Sequence, residues 1–230
     1  CNRYHPVLAT VRRLVESGEI GPLRRVAVTG KQDHRGGGLD LWVLGGHGFN
    51  LATYFTGPAT SCVAEVRVNG RPATRADVHP GDEGVGPIVG DEIHAVFETA
   101  SGVPIRFDSV RGTWTPGMPF GIRLVGAKGV IALQVDEEPL AYLERGELRT
   151  PITTAGIGAP EPIADIKLVN GGHHGAVRDL LAAITEKREP LCGPEAGRET
   201  VEMTLGVFAS FAAGGAKVAL PLADRRHPLR

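Results

Sequence analysis

A histidine set among glycines is the first chemically suggestive feature of this 230-residue chain. Gly45-Gly46-His47-Gly48 follows the largely apolar run Leu39-Asp40-Leu41-Trp42-Val43-Leu44, and Asn50 stands three residues on. An imidazole titrates near neutrality, so it suits proton transfer to or from a substrate. A lone histidine in an apolar stretch is more often a hydrogen-bonded core or helix-start residue. Lys31, Asp33 and His34 form a second polar group, and such a group at a strand end can line a sugar pocket through charge-assisted hydrogen bonds. It also fits a solvated loop. Trp42 suits either the core or a platform on which a sugar ring stacks. His173-His174 invites a metal reading, but adjacent helical side chains point about 100° apart and chelate poorly, so no metal site is expected.

The three cysteines, Cys1, Cys62 and Cys192, are far apart and show no CxxC spacing. They make neither a disulfide framework nor a zinc site, and a reducing cytoplasm is the default. Cys1 in first position has three readings: an N-terminal nucleophile, whose free amine can act as its base, the first residue of a mature lipoprotein, or a start inside a longer protein.

The elements that must position these residues can be read from periodicity. Val7, Val11, Leu14 and Val15 mark a helix begun by Pro6 and ended near Gly18 or Gly21. Leu23–Thr29 reads as a strand, 46–56 as a helix stopped at Gly57-Pro58, and Ser61–Val68 as a strand with Cys62, Ala64, Val66 and Val68 on one side. Residues 70–90 read as a loop. Strand candidates follow at Glu92–Thr99, Val103–Arg111, Gly121–Val125, Val130–Val135 and Leu140–Glu144. Short turns separate most of them, including Asp136-Glu137-Glu138-Pro139, and this implies an antiparallel meander. Residues 145–170 read as irregular. Two helices follow, 173–188 with a stripe of Val177, Leu180, Leu181 and Ile184, and 194–213 with Val201, Leu205, Phe208 and Ala212; Lys217–Leu220 is a last strand. Strands grouped apart from helices predict one α+β domain over residues 1–230: an open, mostly antiparallel sheet with helices on one face.

Composition narrows the function. Hydrophobic residues make up 42% and charged residues 22%, as in a globular protein, and the formal net charge of −1 offers no basic face for nucleic acid. No apolar run approaches the roughly 20 residues of a membrane span. Neither Gly36-Gly37-Gly38 nor Gly156-Ile157-Gly158 has the spacing and the strand–turn–helix context of a phosphate cradle, so no dinucleotide site is expected within the chain.

Several local features occur in a fixed order: Asn2-Arg3-Tyr4-His5-Pro6, Ser17-Gly18-Glu19-Ile20-Gly21-Pro22-Leu23, Gly45-Gly46-His47 with Asn50 and Gly57, Leu124–Ile131, Lys187-Arg188-Glu189-Pro190, and Ala216–Leu222. In this order they resemble the C-terminal domain of the glucose–fructose oxidoreductase / inositol dehydrogenase (Gfo/Idh/MocA) family over nearly the whole chain. The resemblance implies an N-terminal Rossmann domain, not among these residues, that binds NAD or NADP. It also implies a substrate pocket for a sugar, cyclitol or polyol, and homo-oligomers assembled through the sheet. Within the family pattern Asp-x-Gly-x-His-x-x-Asp, Gly45 and His47 match, and His47 becomes the acid/base for the substrate hydroxyl. Asn50, Trp42, Lys31, Asp33 and His34 become candidates for substrate binding, Asn50 by orienting hydroxyls. Val43 and Asn50 stand where the family carries carboxylates. This motivates an alternative, a ligand-binding or oligomerisation module that keeps the fold without the chemistry.

Overall fold

The computed structural model describes residues 2–115, 120–135, 141–160 and 172–230. In chain order, the principal elements begin with helix α1 (Val7–Glu16), strand β1 (Leu23–Thr29) and, after a helical lead-in, helix α2 (Gly46–Thr56). Strands β2 (Ala59–Val68), β3 (Glu92–Thr99), β4 (Ile105–Val110), β5 (Gly121–Gly126), β6 (Val130–Gln134), β7 (Ala141–Arg145), β8 (Leu148–Thr153) and β9 (Gly156–Ile157) come next. Helices α3 (His173–Glu186) and α4 (Pro194–Ala212) and strand β10 (Val218–Ala219) close the chain. The fold class is α+β with mostly antiparallel strands, as the grouping of the elements implies. The turn expected at Asp136–Pro139 lies outside the described residues.

Contacts divide the chain into two compact units, Cys1–Arg24 with Arg123–Gly197, and Arg25–Ile122 with Arg198–Arg230. In the second unit β10 pairs with β2, β2 with β3 and β3 with β4, all antiparallel. Strand β4 pairs with β1 in parallel, with Val28 opposite Phe107. An antiparallel meander contains no such pair. Its cause is the helix after β1, which carries the chain over the sheet before β2, β3 and β4 return beside it. Along β3, Ile93, Ala95, Phe97 and Thr99 are buried and the alternate residues are not, so one face is core and the other open. Phe49 of α2 seals the core face, its ring centroid 5.3 Å from Phe97 and 5.2 Å from Phe107.

In the first unit, β6, β7, β8 and β9 pair in succession, all antiparallel. This corrects the irregular reading of residues 145–170 over its described part. Gly146, at φ 59°, turns β7 into β8, and Pro151 sits inside β8 opposite Tyr142. A proline in a short run argues against a strand from sequence alone, and here the antiparallel register accommodates it. Residues 161–170 lie outside the described set. Helix α1 buries Val7, Leu8 and Val11, and Thr10 donates a hydrogen bond from Oγ1 to the Thr154 carbonyl (3.1 Å).

Candidate active site

The helical segment bearing His47 begins at Gly38, runs as a π-helix over Leu41–Gly45 and continues as α2. In a regular α-helix, a step of seven residues returns to nearly the same side, so Asp40 and His47 would face alike. The π turn between them takes one extra residue and rotates the residues after it. Asp40 is fully buried, whereas His47 is exposed.

The glycines around His47 allow a close approach. A Cβ at Gly48 would lie 2.3 Å from Cγ1 of Val28 on β1, and one at Gly46 would press on Thr200 of α4 at 3.2 Å. Gly45 lies over the Phe107 ring in the same way, at 3.3 Å. The helix is therefore seated on the sheet through its missing side chains, and the imidazole is the one side chain this tetrapeptide presents outward. The run Gly36–Gly38 has a related purpose. A Cβ at Gly36 would meet the Arg111 backbone at 2.1 Å, and Gly37, at φ 84°, lies against the backbone of Gly90 and Asp91. These glycines pack against main chain and offer no open cradle of N–H groups.

Asp40, which carries no recognisable motif, ties the polar loop to this helix. It accepts hydrogen bonds from Ser109 Oγ (2.5 Å), the Gln32 N–H (3.1 Å) and the Lys31 N–H (3.3 Å). Gln32, buried and at φ 59°, accepts the Val110 N–H through Oε1 (3.1 Å). The available signal in the sequence is Asp40 itself, a lone carboxylate in an apolar run: a buried charge requires donors.

Each candidate substrate residue has a defined place. Lys31 is half-buried at the end of this tied loop. Asp33 is held by Arg35, with Nη2 2.8 Å and Nε 3.2 Å away. That guanidinium outweighs partial burial and lowers the Asp33 carboxyl to about 2. His34 is exposed. Asn50 is half-buried on α2. Trp42 lies on the π turn, its indole stacked on the His227 ring at 6.1 Å and tilted against Phe208 at 6.4 Å. Of these candidates, Lys31, Asp33 and His34 share one loop, that loop is bonded to the helical segment of His47, and Trp42 packs inward from the same segment.

The remaining polar candidates lie elsewhere. His173 and His174 are exposed at the start of α3. Cys62 is buried, which pushes its thiol up to about 12, so it is no nucleophile. Among the described residues, no three His, Cys, Asp or Glu side chains gather closely enough to hold a metal ion, and no helix is long and apolar enough to cross a membrane.

The chain matches a family model described as the oxidoreductase family, C-terminal alpha/beta domain, over residues 12–220. No curated protein matches it in sequence. Similar solved structures include a levoglucosan dehydrogenase in complex with NADH and levoglucosan, with TM-score 0.66 and 16% identity over 96% of this chain and 65% of that one. The WlbA dehydrogenase of Bordetella pertussis, in complex with NADH and UDP-GlcNAcA, has TM-score 0.61 and 16% identity over 96% and 63%. An oxidoreductase of Agrobacterium radiobacter, in complex with NAD+, L-tartaric acid and magnesium, has TM-score 0.57 and 17% identity over 94% and 62%. At such identities the likeness is one of fold, and this chain spans less than two thirds of each of those proteins.

Proposed function

The chain belongs to the Gfo/Idh/MocA oxidoreductase family as its C-terminal domain, and on that premise we propose that it is the substrate-binding half of an NAD(P)-dependent dehydrogenase of a sugar, cyclitol or related polyol. The observation that carries this reading is the presentation of His47, an exposed imidazole projected from a helix that is otherwise glycine at that point and pressed onto the sheet. In the reaction, His47 takes the proton of the substrate hydroxyl as the C–H bond breaks and returns it in the reverse direction. Asn50 orients a substrate hydroxyl through its amide, and the Lys31–His34 loop contributes further polar contacts. A nicotinamide held by polypeptide outside these residues would supply the acceptor for the hydride. The complexes of the similar structures with NAD(H) and sugar derivatives support this class of cofactor and substrate.

Copies assemble through the sheet, and Val63 and Val96, each about 40% exposed among charged neighbours on the open face of the second unit, are the apolar contact that face offers. Val43 and Asn50, at the family's carboxylate positions, favour a second reading, a non-catalytic module. One experiment separates the two. The natural polypeptide is titrated with NADH and NADPH and assayed against a panel of polyols with the oxidised cofactors. Binding together with polyol-dependent reduction of the cofactor supports the dehydrogenase, and absence of both leaves the module.

A further inference from the structure

On the open face of the second unit's sheet, His94 of β3 meets a carboxylate at each ring nitrogen. Nδ1 lies 2.6 Å from Asp108 Oδ1 on β4, and Nε2 lies 2.9 Å from Glu92 Oε1 on β3 itself. A neutral imidazole has one N–H and can donate to only one of these oxygens, so the arrangement is that of an imidazolium donating to both. Partial burial pulls the imidazole pKa down, but the bonds to Asp108 and Glu92 outweigh it and the net shift is upward. With the proton, Glu92, His94 and Asp108 together carry one net negative charge. Without it they carry two, and one carboxylate faces a bare nitrogen.

The neighbouring strands do not make up for a lost proton. Glu65 stands directly opposite His94 on β2 and is a further anion, engaged by Arg67 at 3.0 Å. Arg106 of β4 lies opposite Val96, one row away from the cluster. That row is the apolar one: Val63 pairs with Val96, and Glu65 with His94 is the next pair on the same face.

We propose that His94 makes assembly through this sheet face pH-dependent, copies holding together while the imidazolium is present and separating as it loses its proton. The proposal rests on the assembly through the sheet proposed above. A second copy laid on Val63 and Val96 covers the adjacent row and takes water from it. A cluster with both bonds made and one net charge is desolvated at less cost than one with two charges and a broken bond. Assembly is therefore favoured below the His94 pKa and weakens as pH rises through it.

The test uses the natural polypeptide, labelled in two pools with donor and acceptor fluorophores. Subunit exchange is followed from pH 6 to pH 9 in the parent, His94→Gln and Val96→Asp, because differences in affinity appear mostly in dissociation. The parent is expected to exchange at least tenfold faster at pH 9 than at pH 6. His94→Gln is expected to exchange at every pH about as fast as the parent does at pH 9. A parent rate that varies less than tenfold, or a His94→Gln variant that keeps the parent's dependence, would overturn the proposal. Val96→Asp judges the underlying assembly separately. Faster exchange in that variant beside a flat parent profile removes the switch and leaves the interface, whereas exchange at the parent's rate removes both.

Discussion

At the scale of single residues, the site divides into side chains legible in the sequence and one that is not. His47 stands out because glycine neighbours set it off from the apolar residues before it, and the structure presents it outward. Asp40 shows in the sequence only as a lone carboxylate in an apolar run, without its role, because its partners are two main-chain N–H groups and Ser109, and the bond to Ser109 spans 69 residues. Such a partnership is invisible to local pattern. Asp33 reads in the sequence as a pocket residue or as part of a solvated loop, and the structure gives it a 2.8 Å bond to Arg35, two residues away. That bond predicts a pH dependence. The folded carboxyl titrates at about 2, below its ordinary 3.8, so the pairing stabilises fully above about 4 and is lost as pH falls towards 2. Acid unfolding followed by circular dichroism should show a shallower loss of stability over that window in Arg35→Ala than in the parent. An identical slope would mean the pair contributes nothing.

At the scale of elements, periodicity locates every principal helix and most strands, because local hydrophobic spacing follows from which side is buried. It misplaces what depends on distant partners: the parallel pairing of β1 with β4, the strands after Arg145, and the direction in which the α3 stripe faces. The π turn is likewise beyond its reach, since Leu41–Gly45 has the composition of an ordinary buried helix. The close seating of α2 gives a prediction at this scale. Gly48→Ala puts a methyl group 2.3 Å from Val28 Cγ1, so Val28 must leave its rotamer or the helix must lift from β1. Overpacking of this kind costs about 1–3 kcal/mol. Urea denaturation should report that loss, whereas Gly197→Ala, inside α4 with open space at its Cβ position, should cost nothing. Equal costs would deny the close seating.

At the scale of the whole molecule, the chain is the C-terminal domain of an oxidoreductase, and large apolar side chains are exposed on two of its surfaces. One is the α3 stripe. The other is the open sheet face of the second unit, where Val63 and Val96 lie directly opposite each other on β2 and β3. If copies assemble through that face, Val96→Asp should lower the mass measured by light scattering towards that of a monomer, because a charge would have to be desolvated at the contact. An unchanged mass would place the interface elsewhere. That His47 moves the substrate proton is tested most directly by the pH dependence of turnover in the natural polypeptide and in His47→Ala. A base must be neutral to accept a proton, so the parent should lose kcat on acidification. His47→Ala should run slower by roughly 10²–10⁴-fold and lack that acid limb, with NADH binding unchanged. A variant that turns over at the parent's rate with the same acid limb would contradict that role.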